Sequence, residues 1–292
     1  MYGKTTFILV MLIFGSIGLF VRNIELSSSE IALFRGAIGS IFLIGASFIL
    51  RKKVTLKNSK RNLILLILSG AAMGFNWIFL FESYRYTTIS NATLSYYFAP
   101  IFVMVLAPYL LKEKWTVTKA ISILIAFIGF LFVVQPGTTA GETYQHPVGI
   151  GYGLLAAALY AGVIIINKFI SGLSHLETTI MQLGVASIVL FPYVALTEPM
   201  NYSGVSSQSI LFILILGIIH TGVAYLLYFA SMKKLKGQTI AVLSYIDPIS
   251  AVLMAAIILH ESMSILQIVG GVLILSSTFI SEMRIKRKKL AK

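Results

Sequence analysis

The sequence predicts an all-α integral membrane protein of ten transmembrane helices, arranged as two inverted five-helix repeats around a central cavity. Three observations carry that expectation: an apolar composition, ten hydrophobic runs of membrane length, and a repeat between the two halves of the chain. Hydrophobic residues fill 58% of the 292 positions and charged residues only 11%, with a mean hydropathy of +0.91. A soluble domain carries about a quarter charged residues, so lipid must replace water around much of this surface.

Crossing a bilayer as a helix takes about 20 apolar residues. Runs of that kind fall near 5–22, 30–50, 63–82, 89–110, 116–134, 148–168, 177–196, 209–230, 238–259 and 264–283. The first follows Lys4 as a secretory signal would, but no clear small-residue cleavage site follows it, and nine further runs do. It is read as an uncleaved first span. The net charge of +13 is resolved by its distribution. With the amino terminus in the cytoplasm, cytoplasmic segments collect 20 of the 23 Lys and Arg residues, and only Arg22, Arg35 and Arg85 fall elsewhere. The positive-inside rule therefore places both termini in the cytoplasm of a multi-pass cell-membrane protein. The tail "RIKRKKLAK" reads as a topogenic anchor beside anionic lipid.

An ungapped shift of 148 residues lays Ser95–Lys114 over Leu243–Ser262. Tyr97 then meets Tyr245, Pro100 meets Pro248, Ala107 meets Ala255 and Glu113 meets Glu261. Five spans per half is an odd number, so the second half must enter the membrane the other way up. The charges agree: the loop after the second span holds six basic residues, while its counterpart "TEPMNYSGVSSQ" holds none. The repeats are placed at 1–137 and 148–284, with a basic cytoplasmic tail at 285–292. Inverted repeats of this kind are a mark of secondary transporters, whose substrates bind near the midplane between the halves.

The motifs "LFRGAIG", "FESYRYTTISNATLSYY", "APIFVMVLAPYLLKE", "DPISAVLMAAIILHE" and "LQIVGGVLIL" follow one another in order. In this the chain resembles the EamA-type permeases of the drug/metabolite transporter superfamily, over essentially its whole length. The resemblance implies a ten-helix basket whose cavity is lined by the first, third and fourth helices of each half. It also implies export rather than import, and it names no substrate. The second half departs from the pattern: Arg35 aligns with Gln182, and Gly129 in the fifth span has Ser277 as its counterpart.

Polar groups inside spans are costly in lipid and are functional candidates. Asp247 lies roughly 14 Å into the ninth run at 1.5 Å per residue, near the midplane of a ~30 Å core. His220 sits at a similar depth in the eighth run, so the two are expected to hold a proton or a cationic group between them. Pro248 and Pro100 free the carbonyls of Ser244 and Tyr96, which only a cavity or other protein groups can satisfy. Both prolines are therefore expected to kink helices lining the transport path, with Ser244, Tyr245, Tyr96 and Tyr97 beside it. Trp77 and Asn76 are candidates for an aromatic-walled pocket. Glu82 and Arg35 are expected nearer the outer face, Glu82 pairing with Arg85 or Arg35, and both able to snorkel to the interface. Glu113 and Glu261, each in a turn before a new helix, are expected to cap it.

Enzyme classes find no footing in the sequence. The four histidines are dispersed, no cysteine is present and no phosphate-binding glycine motif appears. No metal or cofactor is expected. No soluble basic domain exists to bind nucleic acid. The expected partners are a small-molecule substrate and the lipid bilayer, with homodimerisation left open, and a membrane-embedded sensor or scaffold is the alternative to a permease. A cationic or zwitterionic metabolite is favoured over a phosphorylated sugar because Asp247 is the clearest midplane charge.

The loop charges generate a direct test in this cysteine-free chain. A single cysteine at Ser206 or Thr139 is expected to react with an impermeant maleimide on intact cells, and one at Ser59 only after permeabilisation. Labelling of Ser59→Cys from outside would overturn the inverted topology.

Overall fold

The computed structural model describes residues 2–51, 59–134, 145–199 and 201–290, and every regular element among them is helical. The boundary at 137, Thr139 and much of the basic loop near 52–58 lie outside the described residues. In chain order the helices are α1 (Tyr2–Gly15), α2 (Ile17–Val21), α3 (Ser28–Ile49), α4 (Lys60–Tyr86), α5 (Ile89–Tyr96), α6 (Ala99–Leu110) and α7 (Val117–Val133). There follow α8 (His146–Asn167), α9 (His175–Thr197), α10 (Ser207–Ile215), a π-helical segment (Leu216–Val223), α11 (Ala224–Met232), α12 (Gly237–Ser244), α13 (Ile246–Ile258) and α14 (Ile265–Leu290).

Among the described residues, seven continuous or nearly continuous helical stretches are long and apolar enough to cross a membrane: 3–21, 28–49, 60–86, 89–110, 146–167, 175–197 and 207–232. The fifth, ninth and tenth runs are helical too: α7 covers 117–133, α12 and α13 cover 237–258 with one break, and α14 covers 265–290. The apolar runs thus predict helix positions closely.

Local chemistry sets where the helices start. Ser27 with Glu30, and Ser174 with Glu177, form reciprocal capping boxes at the starts of α3 and α9. The two boxes stand 147 residues apart, the same spacing that aligns Arg35 with Gln182. Thr116 caps α7 through the Lys119 amide, and Ser264 caps α14 through the Gln267 amide. α6 and α13 end alike. Lys112 and His260 both adopt φ of 54°, a left-handed turn normally left to glycine. The next amides, of Glu113 and Glu261, then reach back to the carbonyls of Ala107 and Ala255.

Those turns deliver the two glutamates, and here the expected capping is corrected. Glu261 does not cap α14, which follows it. It accepts from the amides of Ile89 (2.8 Å) and Ser90 (3.1 Å) at the start of α5, from the Ser90 hydroxyl, and from Arg22. Glu113 leaves α7 to Thr116 and pairs with Lys119 at 2.9 Å and Lys168 at 3.4 Å. The Lys119 hydrogen bond holds the Glu113 carboxyl below its ordinary range. Folding gains from such a lowered group above the unfolded-state pKa, and the gain fades as pH falls through the folded-state value.

Where helices cross most closely, glycine permits it. A Cβ on Gly129 of α7 would lie 2.7 Å from the Gly270 carbonyl oxygen of α14, so the backbones touch. Gly129 therefore does have a glycine partner, Gly270, while Ser277 is buried and donates to the Ile274 carbonyl. Gly15, at the end of α1, lies against the Asp247 carbonyl and Ser250 of α13.

The environments of the two glutamates predict unequal costs. The Glu261 side chain is 5% exposed and Glu113 is 41% exposed. Breaking a buried charge network costs about 3–5 kcal/mol, whereas exposed pairs contribute about 0–1 kcal/mol. In detergent thermal unfolding, Glu261→Ala is expected to lower the melting temperature several times more than Glu113→Ala. Equal shifts would show that the Glu261 cap carries no special weight.

Candidate functional site

Between the helices lies a cavity of about 740 Å³, large enough for a metabolite of drug size. Its wall includes α1, α3, α4, α5, α6, α8, α11, α12, α13 and α14. Seven of the chain's fourteen tyrosines face it: Tyr84, Tyr96, Tyr97, Tyr160, Tyr225, Tyr228 and Tyr245. Trp77, Phe14 and three methionines complete a mostly apolar, polarisable surface. Two ionisable side chains of formal charge, Arg35 and Asp247, stand in it.

The fourth-run helices explain how polar groups reach this depth. The chain breaks between α5 and α6 at Tyr97–Phe98, and between α12 and α13 at Tyr245, each time just before a proline. Pro100 occupies the first turn of α6, where the missing N–H costs nothing. Asp247 occupies the first turn of α13, where a carboxylate suits the helix dipole. The Tyr97 hydroxyl donates to Asp247 Oδ2 at 2.5 Å, so one break is tied to the other across 150 positions of sequence. Tyr245 instead donates to Thr278 Oγ1 at 2.7 Å on α14, and Ser244 donates to the Ile240 carbonyl. On α4, the Asn76 amide donates to the Ala156 carbonyl of α8 at 2.6 Å.

Nine of the twelve sequence candidates thus meet at one cavity: Asp247, Ser244, Tyr245, Tyr96, Tyr97, Trp77, Asn76, Pro100 and Arg35. Arg35 corrects its own expectation. It is only 3% exposed and does not snorkel outward; its guanidinium lies 4.5 Å above the Trp77 ring, and its Nε donates to Thr221 Oγ1 at 2.9 Å. The physical reason is that α3 carries Arg35 two helical turns below the Ser27 cap, facing the π-helical segment. Glu82 takes the own-helix alternative, 3.8 Å from Arg85, and accepts from Ser28 at 2.7 Å, away from the cavity wall.

His220 is not brought to Asp247. Its Nε2 lies 2.9 Å from Ser16 Oγ, its Nδ1 lies 3.3 Å from the Ile215 carbonyl, and its ring meets Phe20 edge-on. The π-helical segment turns it toward the interruption between α1 and α2, outside the cavity wall. Pro248 is likewise buried behind the wall and not part of it. Matching depth along two helices did not mean matching direction around them.

Sequence reasoning missed Tyr84, Tyr160, Tyr225 and Tyr228. A signal was present. Tyrosine belongs at the membrane interface, so Tyr225 and Tyr228, one turn apart inside an apolar run, needed a polar surface to face. Met11, Met73 and Met232 gave no such sign.

The comparisons with known proteins agree with this architecture. A crystal structure of another protein superposes with a TM-score of 0.66 over 98% of both chains at 15% identity, which establishes the shared fold. The uncharacterized transporter YxxF of Bacillus subtilis is 30% identical over 270 residues, 90% of this chain and 86% of its own. An uncharacterized transporter of Archaeoglobus fulgidus is 27% identical over 96% of each chain. Mouse solute carrier family 35 member G1 is 24% identical over 74% of this chain and 60% of its own. The EamA-like transporter family matches twice, over residues 1–135 and 147–283. With both halves of the chain matched, this multi-pass membrane protein belongs to the EamA-like transporter family.

Proposed function

We propose that the chain is a secondary transporter of a small metabolite or drug, working by alternating access and exporting its cargo across the cell membrane. In this reading ten helices form two inverted repeats, 1–137 and 148–284, with both termini and the tail at 285–292 in the cytoplasm. Reciprocal packing supports it. α1 packs on α11 and α13, while α8, its counterpart, packs on α4, α5 and α6; α7 packs on α14. The repeated capping boxes and the repeated left-handed turns at Lys112 and His260 support it further.

One observation carries the proposal: the hydrogen bond from Tyr97 to Asp247, which joins the two helix breaks inside an aromatic cavity. Rocking one half against the other moves these two breaks relative to each other, so the bond is made in one state and strained or lost in the next. Asp247 exchanges its proton, or a cationic group of the cargo, when the cavity opens to water. Cargo and proton then compete for one carboxylate, which couples their movements in opposite directions. Its counterpart at the 148-residue spacing is Ala99, so the carboxylate is supplied by one half alone.

Asp247→Asn keeps the size and an acceptor for Tyr97 but cannot titrate. In proteoliposomes with an imposed pH gradient, it is expected to abolish concentrative movement of a panel of labelled amines and amino acids while leaving passive exchange and folded yield intact. Persistent accumulation against a gradient by the Asn variant would make Asp247 a structural residue. Replacing Pro100 or Pro248 by alanine returns a backbone N–H to the first turn of α6 or α13, which allows the helix to run back across the break. Each change is expected to slow turnover about fivefold or more, as hinge changes do, with a smaller effect on the amount of folded protein. Wild-type turnover in both would assign the prolines to packing.

A further inference from the structure

Arg35 is a buried cation whose hydrogen-bonding capacity is mostly unused. Its Nε is committed to Thr221, and its guanidinium is stacked on Trp77 and near Phe81. Among the described residues neither terminal nitrogen has a hydrogen-bond partner, and no carboxylate pairs with the group. Arg35 belongs to the wall of the cavity. A guanidinium fixed at Nε and by a ring face presents its remaining N–H groups as a fork, the geometry that receives a carboxylate through two parallel hydrogen bonds.

The other half of the chain shows that packing does not require this charge. Gln182, the counterpart of Arg35, is also buried, but it is neutral and stands away from the cavity wall. Its amide nitrogen is satisfied twice, by Ser69 Oγ at 2.7 Å and Asn167 Oδ1 at 2.6 Å. The same helix position therefore closes with neutral hydrogen bonds in one half, and in the other places in the cavity wall an arginine whose terminal nitrogens have no partner among the described residues. An unpaired charge away from water is costly unless a partner arrives. Asp247, the opposite charge in the wall, is already engaged by Tyr97.

We infer that Arg35 is the anchor for a carboxylate on the transported solute, so the cargo is an organic acid or a zwitterion whose apolar or aromatic body lies among the cavity tyrosines. This rests on the reading of the cavity as the substrate site. It narrows the cationic expectation drawn from Asp247 alone: a cationic group of a zwitterion can face Asp247, but the carboxylate is the part that selects. Thr221 serves as a positioning residue. Its hydroxyl donates to the Leu216 carbonyl within the π-helical segment and accepts from Arg35, which fixes the guanidinium plane.

Trp77 makes the test direct, since it lies under the guanidinium and the chain's other tryptophan, Trp115, is 48% exposed and outside the cavity wall. In a Trp115→Phe background, Trp77 fluorescence and thermal shift are titrated with 3-phenylpropionate, its uncharged amide, and phenethylamine. The acid is expected to bind at least about tenfold more tightly than the amide, as a charge-assisted pair does over a neutral one. Arg35→Gln is expected to erase that preference while leaving the affinity for the amide unchanged, and Arg35→Lys to restore part of it. If acid and amide bind the wild-type protein equally, or if Arg35→Gln keeps the preference, the assignment is overturned. Binding of phenethylamine alone would overturn it too, yet leave the cavity as a solute site; the acid-to-amide ratio in wild-type protein decides the matter even if Arg35→Gln fails to fold.

Discussion

A backbone that passes through lipid must satisfy its own hydrogen bonds, and it can be interrupted only where protein or a cavity takes over. The central architecture follows from that constraint. The helix pairs α5–α6 and α12–α13 break two to three residues before a proline, and both breaks abut the cavity. Tyr97 and Asp247 are available to one another because each stands at a break and not on the lipid face of an unbroken helix. The tight approach of α1 to α13, which Gly15 allows, backs the second break from the other side.

The ends of the same helices are held by a different interaction. Glu261 leaves α13 through a left-handed turn at His260 and satisfies two amides at the start of α5. A carboxylate at a helix start gains from both free amides and dipole, and burial beside Arg22 strengthens each contact. Glu113, on the equivalent turn after Lys112, meets lysines at a more exposed surface. Equivalent backbone geometry therefore carries unequal electrostatic weight at the two ends of the bundle. In the proposed alternating-access cycle such a difference would let the two ends open in turn.

The cavity is similarly lopsided in charge. Arg35 comes from one half, where Gln182 stands opposite, and Asp247 from the other, where Ala99 stands opposite. The tyrosines between them offer both ring faces and hydroxyls, a surface that would suit the amphiphilic solute proposed above. Neither charge is needed at the matching position for the helices to pack.

The sequence by itself determined the membrane class, the order and approximate limits of the helices, the matching prolines and part of the cavity wall. These are local properties: apolar run length, loop charge, capping chemistry and the missing proline N–H act over a few residues and leave their trace there. Nine of the twelve candidate residues share the cavity wall because depth along a helix follows from counting residues. Only the tertiary structure decided which way each side chain points and what lies opposite. His220 and Asp247 match in depth yet face different neighbours, since an extra residue per turn in the π-helical segment rotates His220 toward Ser16. Arg35 turns inward onto Trp77, and Glu261 passes over the helix that follows it to reach α5. Such pairings join positions more than a hundred residues apart, or on different helices, and depend on helix rotation and crossing. Those are set by the packing of the whole bundle and not by any one segment of it.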